Sequence, residues 1–135
     1  MQSLSLTDEQ LQKMIAHAQS LAPLEVCGLL AGKTSSVESV IEVTNQAQSP
    51  ARFVMDPFEQ LRAFEWIESQ GLDLLGIYHS HPAGPETVSL TDIADSAYAV
   101  VNLVLSRADG VWRARGFWIE NGDYREVILK ISNHA

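Results

Sequence analysis

The spacing of apolar residues changes period several times along this chain. Leu11, Met14, Ile15, Ala18 and Leu21 recur at helical spacing, which predicts a first helix over roughly 8–21. Thr7-Asp8-Glu9-Gln10 ahead of it has the form of a capping box, with Thr7 as N-cap and Gln10 three residues on, and Pro23 stops the helix. His17 lies off the apolar stripe and is expected to face solvent. From Glu25 the helical period is lost. Glu25-Val26-Cys27-Gly28-Leu29-Leu30-Ala31-Gly32 reads as a buried strand that opens with an acid, and Val37–Val43 as a second, roughly alternating strand. The turn between them contains Gly32-Lys33-Thr34, the ending of a phosphate-binding loop. That motif needs a glycine where Cys27 stands and a helix afterwards, so a hairpin turn is the better reading.

Residues 44–51 are polar and read as a loop, with a short strand expected at Arg52-Phe53-Val54-Met55. Asp56-Pro57-Phe58-Glu59 is a strong helix start: an Asp N-cap, proline at the first helical position, glutamate at the third. Phe58, Leu61, Phe64 and Ile67 are the expected buried stripe of this helix, Trp66 lies off it, and Gly71 ends it. Leu74–His79 is almost wholly apolar, as expected of a strand covered on both faces. After a loop from Pro82 to Val88, a helix is expected from Leu90 to about Ala99, then strands over Val101–Ser106, Val111–Ile119 and Tyr124–Ile131. Ala108-Asp109-Gly110 and Asn121-Gly122-Asp123 are hairpin turns between them. There is no repeat, low-complexity segment or interior linker. The expected architecture is a single α/β domain over 1–135, a mixed β-sheet flanked by helices.

Composition narrows the function classes. The 135 residues carry a formal net charge of −8, which argues against a nucleic-acid backbone or an anionic membrane surface as partner. No apolar run approaches the ~20 residues of a bilayer span, and the N-terminus lacks a signal-peptide pattern. The single cysteine, Cys27, suits a reducing compartment, so a cytoplasmic protein is expected.

The chemistry concentrates in Tyr78-His79-Ser80-His81-Pro82 and Ser89-Leu90-Thr91-Asp92. Alternate strand residues share a face, so His79 and His81 can approach one ion together, with Asp92 entering from the first turn of the next helix. Three protein ligands leave one position for water, the mark of a catalytic zinc site. Ser89 and Asp92 taken alone are also an ordinary helix start. Activating water further requires a base. Glu25, an acid opening an apolar strand, is the best candidate by pattern. Cys27, two residues on, is read as a buried core cysteine, with a redox-sensitive thiol near the metal as the alternative. Glu86 and Gly84-Pro85 are expected to border a substrate channel, and His134 is read as irrelevant to the site.

These residues resemble the JAMM (JAB1/MPN/Mov34) zinc metalloprotease family in its compact prokaryotic form. The family signature is a glutamate upstream of His-(Ser/Thr)-His, then seven residues, then Ser-x-x-Asp. Here Glu25-Val26-Cys27-Gly28-Leu29-Leu30 precedes His79-Ser80-His81, seven residues from Pro82 to Val88, and Ser89-Leu90-Thr91-Asp92. Asn45, Ser49-Pro50, Phe53, Asp56-Pro57 and Gly76-Ile77-Tyr78 are also similar, so the likeness covers nearly the whole chain. One departure is Val88, where many bacterial members have proline. The resemblance implies the cytidine-deaminase-like JAMM/MPN fold. It also implies one Zn2+ per chain on His79, His81 and Asp92, Glu25 as general acid/base, and Ser89 stabilising the oxyanion. The implied activity is that of a peptidase or isopeptidase cutting after the C-terminal Gly-Gly of a ubiquitin-like or sulfur-carrier protein. The alternatives are a non-catalytic MPN-type interaction module, or a small-peptide or peptidoglycan hydrolase with the same metal site. The leaving group and oligomeric state, a homodimer included, stay open at this point. A zinc nucleoside deaminase is excluded, because it needs a Cys-x-x-Cys pair and the chain has one cysteine.

Overall fold

A computed structural model describes residues 1–133, so His134 lies outside the described residues. The order of elements is β1 (Ser3–Thr7), α1 (Asp8–Leu21), β2 (Cys27–Lys33), β3 (Ser36–Val43), α2 (Pro57–Ser69), β4 (Asp73–His81), α3 (Leu90–Asp95), β5 (Val101–Ala108), β6 (Val111–Glu120) and β7 (Asp123–Ser132). The strands form one mixed sheet in the order β1-β3-β2-β4-β5-β6-β7, closed because β1 pairs in parallel with both β3 and β7. β4 and β5 are also parallel, and their crossover carries α3.

The central strands are buried on both faces, which explains their unbroken apolar sequence. Leu30 and Tyr78 pack in one core with Leu4, Met14 and Ala18, while Leu29 and Ile77 pack in a second with Val43, Ala63 and Ile67. The capping box of α1 forms as expected, with Gln10 N–H donating to Thr7 Oγ1 and Thr7 N–H to Gln10 Oε1. Asp56 caps α2, accepting from the N–H groups of Phe58 and Glu59.

Several expectations need correction. β1 was not anticipated, although Ser3-Leu4-Ser5-Leu6 alternates and buries both leucines. On α2, Phe58 and Leu61 are 73% and 56% exposed, and the buried pair is Ala63 and Ile67. Nine residues make about two and a half helical turns, so Phe58 stands opposite Ile67, and a strict three-residue spacing walks round the helix. The strand expected from Glu25 starts at Cys27, the short strand at 52–55 reduces to a single bridge between Asn45 and Met55, and α3 ends at Asp95 instead of near Ala99. His17 is not a solvent-facing residue. Its side chain is 9% exposed and Nδ1 lies 2.7 Å from the Tyr78 hydroxyl, whose ring covers Gly28 on the neighbouring strand.

Candidate metal centre

His79 and His81 lie at the C-terminal end of β4, and both are buried. The loop after them returns the chain so that α3 starts beside the strand end. Ser89 caps this helix: Asp92 N–H donates to Ser89 Oγ (3.0 Å) and Ser89 N–H donates to Asp92 Oδ2 (2.8 Å). The helix-start reading and the ligand reading are therefore one geometry. The same Oδ2 atom lies 3.2 Å from His79 Nε2 and 3.1 Å from His81 Nε2.

Glu25 arrives from the other side. Ser80, between the two histidines, makes a reciprocal clamp with the residue after Glu25: Val26 N–H donates to Ser80 Oγ (2.8 Å) and Ser80 N–H donates to Val26 O (3.1 Å). Asn45 Nδ2 holds the Glu25 carbonyl at 3.0 Å. The outcome is that one ligand atom each of Glu25, His79 and His81 lies within 4.8 Å of the others. Two carboxylates thus flank one histidine pair, and either can supply the third ligand by position.

Hydrogen bonding identifies which atoms face the centre. His81 Nδ1 lies 3.0 Å from the Pro85 carbonyl, which can only accept, so Nδ1 carries a proton, and in the neutral ring Nε2 then has the lone pair. Among the described residues neither nitrogen of His79 has a hydrogen-bond partner, nor has Glu25 Oε1, although all are buried; the 3.2 Å approach of His79 to Asp92 is in ion-pair range only. Lone pairs aimed at a carboxylate oxygen across about 3 Å repel unless a proton or cation lies between them. Unsatisfied buried atoms are costly, and N, N and O donors converging on one point fit a divalent metal ion. Phe53 stacks on the His79 ring at 4.7 Å and 24°, fixing its plane.

The electrostatics follow from burial and from these contacts. Burial drives the Glu25 carboxyl up to about 7, with Asp92 adding repulsion and His81 partly opposing it. Asp92 goes the other way: burial would raise it, but His79, His81 and the Ser89 N–H hold it well below the usual carboxylate range. Burial lowers His79 despite Asp92. It would lower His81 as well, yet Asp92, the Pro85 carbonyl and Glu25 outweigh it and raise that histidine. With no cation between them, one acid is held ionised beside the histidines and the other is raised towards neutrality by burial.

Residues 7–119 match the family model of prokaryotic homologs of the JAB domain. The chain belongs to this prokaryotic JAB family. It is 38% identical over 122 residues to a probable TtuB-protein conjugate cleaving protease of Thermus thermophilus, covering 90% of this chain and 78% of that one. It is 34% identical over 135 residues to a desampylase of Haloferax volcanii, covering 95% and 96%. A solution structure of a Desulfitobacterium hafniense protein superposes with a TM-score of 0.88 at 33% identity, covering 97% of this chain and 94% of that one. The JAB fold and the mixed sheet with flanking helices agree with the expected architecture.

The remaining expectations fall as follows. Cys27 is a buried core residue, its thiol near the Val43 carbonyl and pushed up to about 12 by burial, Glu59 and Glu25. Val88, the departure from the bacterial pattern, packs in a small core with Val104, Phe117 and Ile119. Glu86 lies on the 82–88 loop, its carboxylate 3.9 Å from Arg113. The clamping roles of Ser80 and Asn45 and the Pro85 carbonyl were not anticipated. A serine between two histidines that share a strand face points to the opposite face, which is the one available signal.

Proposed function

We propose that this protein is a zinc-dependent isopeptidase or peptidase that hydrolyses the bond after the C-terminal Gly-Gly of a ubiquitin-like or sulfur-carrier protein. The observation that carries the reading is the convergence of His79, His81 and Asp92 with a buried Glu25 whose Oε1 has no hydrogen-bond partner among the described residues. His79 Nε2, His81 Nε2 and Asp92 Oδ2 would hold one zinc ion per chain. When bound, zinc supplies Lewis-acid polarisation of the scissile carbonyl and acidifies the attacking water.

The remaining steps belong to the chain. Glu25 takes the proton of the attacking water on its carboxylate and returns it to the leaving nitrogen, so that an amine departs and a free C-terminal carboxylate remains. Ser89 Oγ already accepts the Asp92 N–H, which leaves its own O–H free to donate to the oxygen that becomes negative. A cleft lined by Phe53, Met55, Ile77, Asp92 and Tyr98 runs away from the centre. A tail without side chains fits such a cleft in extended form. The name of the Thermus relative, a protease cleaving TtuB–protein conjugates, supports a conjugated protein as substrate.

Among the described residues no helix is long and apolar enough to cross a membrane. With its one cysteine a buried free thiol, the activity is assigned to the cytoplasm. The test is incubation of zinc-loaded protein with sulfur-carrier fusions, reading cleavage after Gly-Gly by mass spectrometry. Glu25→Ala should keep zinc and lose turnover. Turnover that survives both chelation and Glu25→Ala would overturn the mechanism.

A further inference from the structure

The loop between the two ligand-bearing segments is held from outside the motif. Arg115, on β6, places its guanidinium against the Glu126 carboxylate of β7 in a two-point fork, Nε to Oε2 at 2.9 Å and Nη2 to Oε1 at 2.8 Å. Its third nitrogen, Nη1, donates to the Glu86 carbonyl at 3.3 Å. The guanidinium also lies 5.2 Å from the centre of the Phe117 ring, and Phe117 packs with Val88 at the far end of the same loop. β6 therefore grips the 82–88 loop twice, by a polar contact at Glu86 and an apolar one at Val88. Between these grips and the strand end stands the Pro85 carbonyl, the sole hydrogen-bond partner shown for His81 Nδ1.

From this arrangement we infer that Arg115 is a positioning residue for His81: by holding the Glu86 carbonyl it fixes the adjacent Pro85 carbonyl, which keeps the imidazole proton on Nδ1 and Nε2 free to ligate. The inference rests on His81 being a ligand, as in the function proposed above. The competing explanation is that the Arg115–Glu126 fork only staples the β6–β7 hairpin. The fork explains two of the three guanidinium hydrogen bonds but not the one to the loop. Arginine suits the task because its planar, fully charged group is pre-organised for a carboxylate fork while a third donor remains, whereas lysine offers one compact charge.

The deciding measurement is 15N NMR of the His81 side chain in metal-free protein at about pH 9, above the imidazole range, where the Nδ1–H and Nε2–H tautomers have distinct shifts. The parent should populate the Nδ1–H form in competition with the Asp92 carboxylate, which lies 3.1 Å from Nε2. Arg115→Ala should shift that population towards the Nε2–H form, and its zinc affinity, from chelator competition, should weaken roughly 3- to 10-fold, less than for loss of a direct partner of a ligand. Arg115→Lys should not restore either. Arg125→Ala, which removes the arginine over Trp118 on the same hairpin, should change neither. If Arg115→Ala does not fold, Glu126→Gln, which leaves the arginine but weakens its fork, should move the tautomer in the same direction. An unchanged tautomer in Arg115→Ala or in a folded Glu126→Gln, or an equal change in Arg125→Ala, overturns the inference. Absence of zinc binding by the parent itself would count against the proposed function, and the tautomer would still decide the role of Arg115.

Discussion

Replacing Glu25 by glutamine should make the metal-free protein more stable, by an amount that depends on pH. Glu25 is 3% exposed and its Oε1 has no partner, so ionising it in the folded state is penalised. Its carboxyl rises from an ordinary 4.5 to about 7. At about 1.4 kcal/mol per pH unit this corresponds to about 3 kcal/mol, which water admitted around the site reduces to roughly 2. The sign follows from the direction. A raised carboxyl is penalised in full above about pH 7, where both the folded and unfolded chains are ionised, and the penalty disappears as pH falls towards the ordinary value. Urea denaturation with chelator present, followed by tryptophan fluorescence, reads this directly. Glu25→Gln should gain roughly 2 kcal/mol at about pH 9 and less than about 1 kcal/mol at about pH 5. With zinc bound the gain should shrink, because a divalent ion beside the carboxylate removes the cause. A variant no more stable than its parent at about pH 9 would refute the claim that this carboxylate is held unsatisfied for chemistry.

Three further outcomes follow from the same geometry. Asp92→Asn should weaken zinc binding by roughly 100-fold or more and Glu25→Gln by less than about 10-fold, measured by chelator competition; the reverse order would make Glu25 the third ligand. Gly28→Ala should destabilise by roughly 2 kcal/mol or more in chemical denaturation, since a Cβ there would stand 2.1 Å from Tyr78 Cε2 and 2.5 Å from the Ile41 carbonyl oxygen. Cys27, fully buried with its thiol pushed up to about 12, should react with a thiol reagent only in denaturant, and prompt labelling of the native protein would contradict that burial.

Much of the centre was legible because its local rules and its chemistry coincide. His79 and His81 share a strand face by period, and Ser89 and Asp92 form a capping box by spacing; the proposed ligand set needs only those two local geometries brought together by a seven-residue loop. What escaped reading depends on partners distant in sequence. β1 closes the sheet only because β7, more than a hundred residues later, presents a free edge, and five residues of Ser-Leu alternation do not announce that. His17 was assigned to solvent because a helix stripe shows what faces the core but not which residue meets a tyrosine hydroxyl from the next layer. On α2 the second half of the expected stripe holds, with Ile67 buried and Phe64 packed against the core, while Phe58 and Leu61 outweigh the small Ala63 in the pattern but not in the packing.

Glu25 shows where the two kinds of information meet. Pattern alone marked it as an anomalous acid at the head of an apolar strand, but could not say that its carboxylate reaches a site 54 residues away. Ser80 makes that connection. As the residue between the two histidines it points to the opposite strand face, and its hydroxyl and N–H engage both backbone groups of Val26, the neighbour of Glu25. The serine in His-Ser-His is thus neither a ligand nor a spacer. It couples the strand end that carries the two histidines to the residue after Glu25, so the spacing of Glu25 from His79 and His81 is set by hydrogen bonding between neighbouring chain segments. In the proposed mechanism Glu25 must be held to within a fraction of an ångström of the proton it takes, and a buried reciprocal clamp one residue away from each partner is well suited to do so.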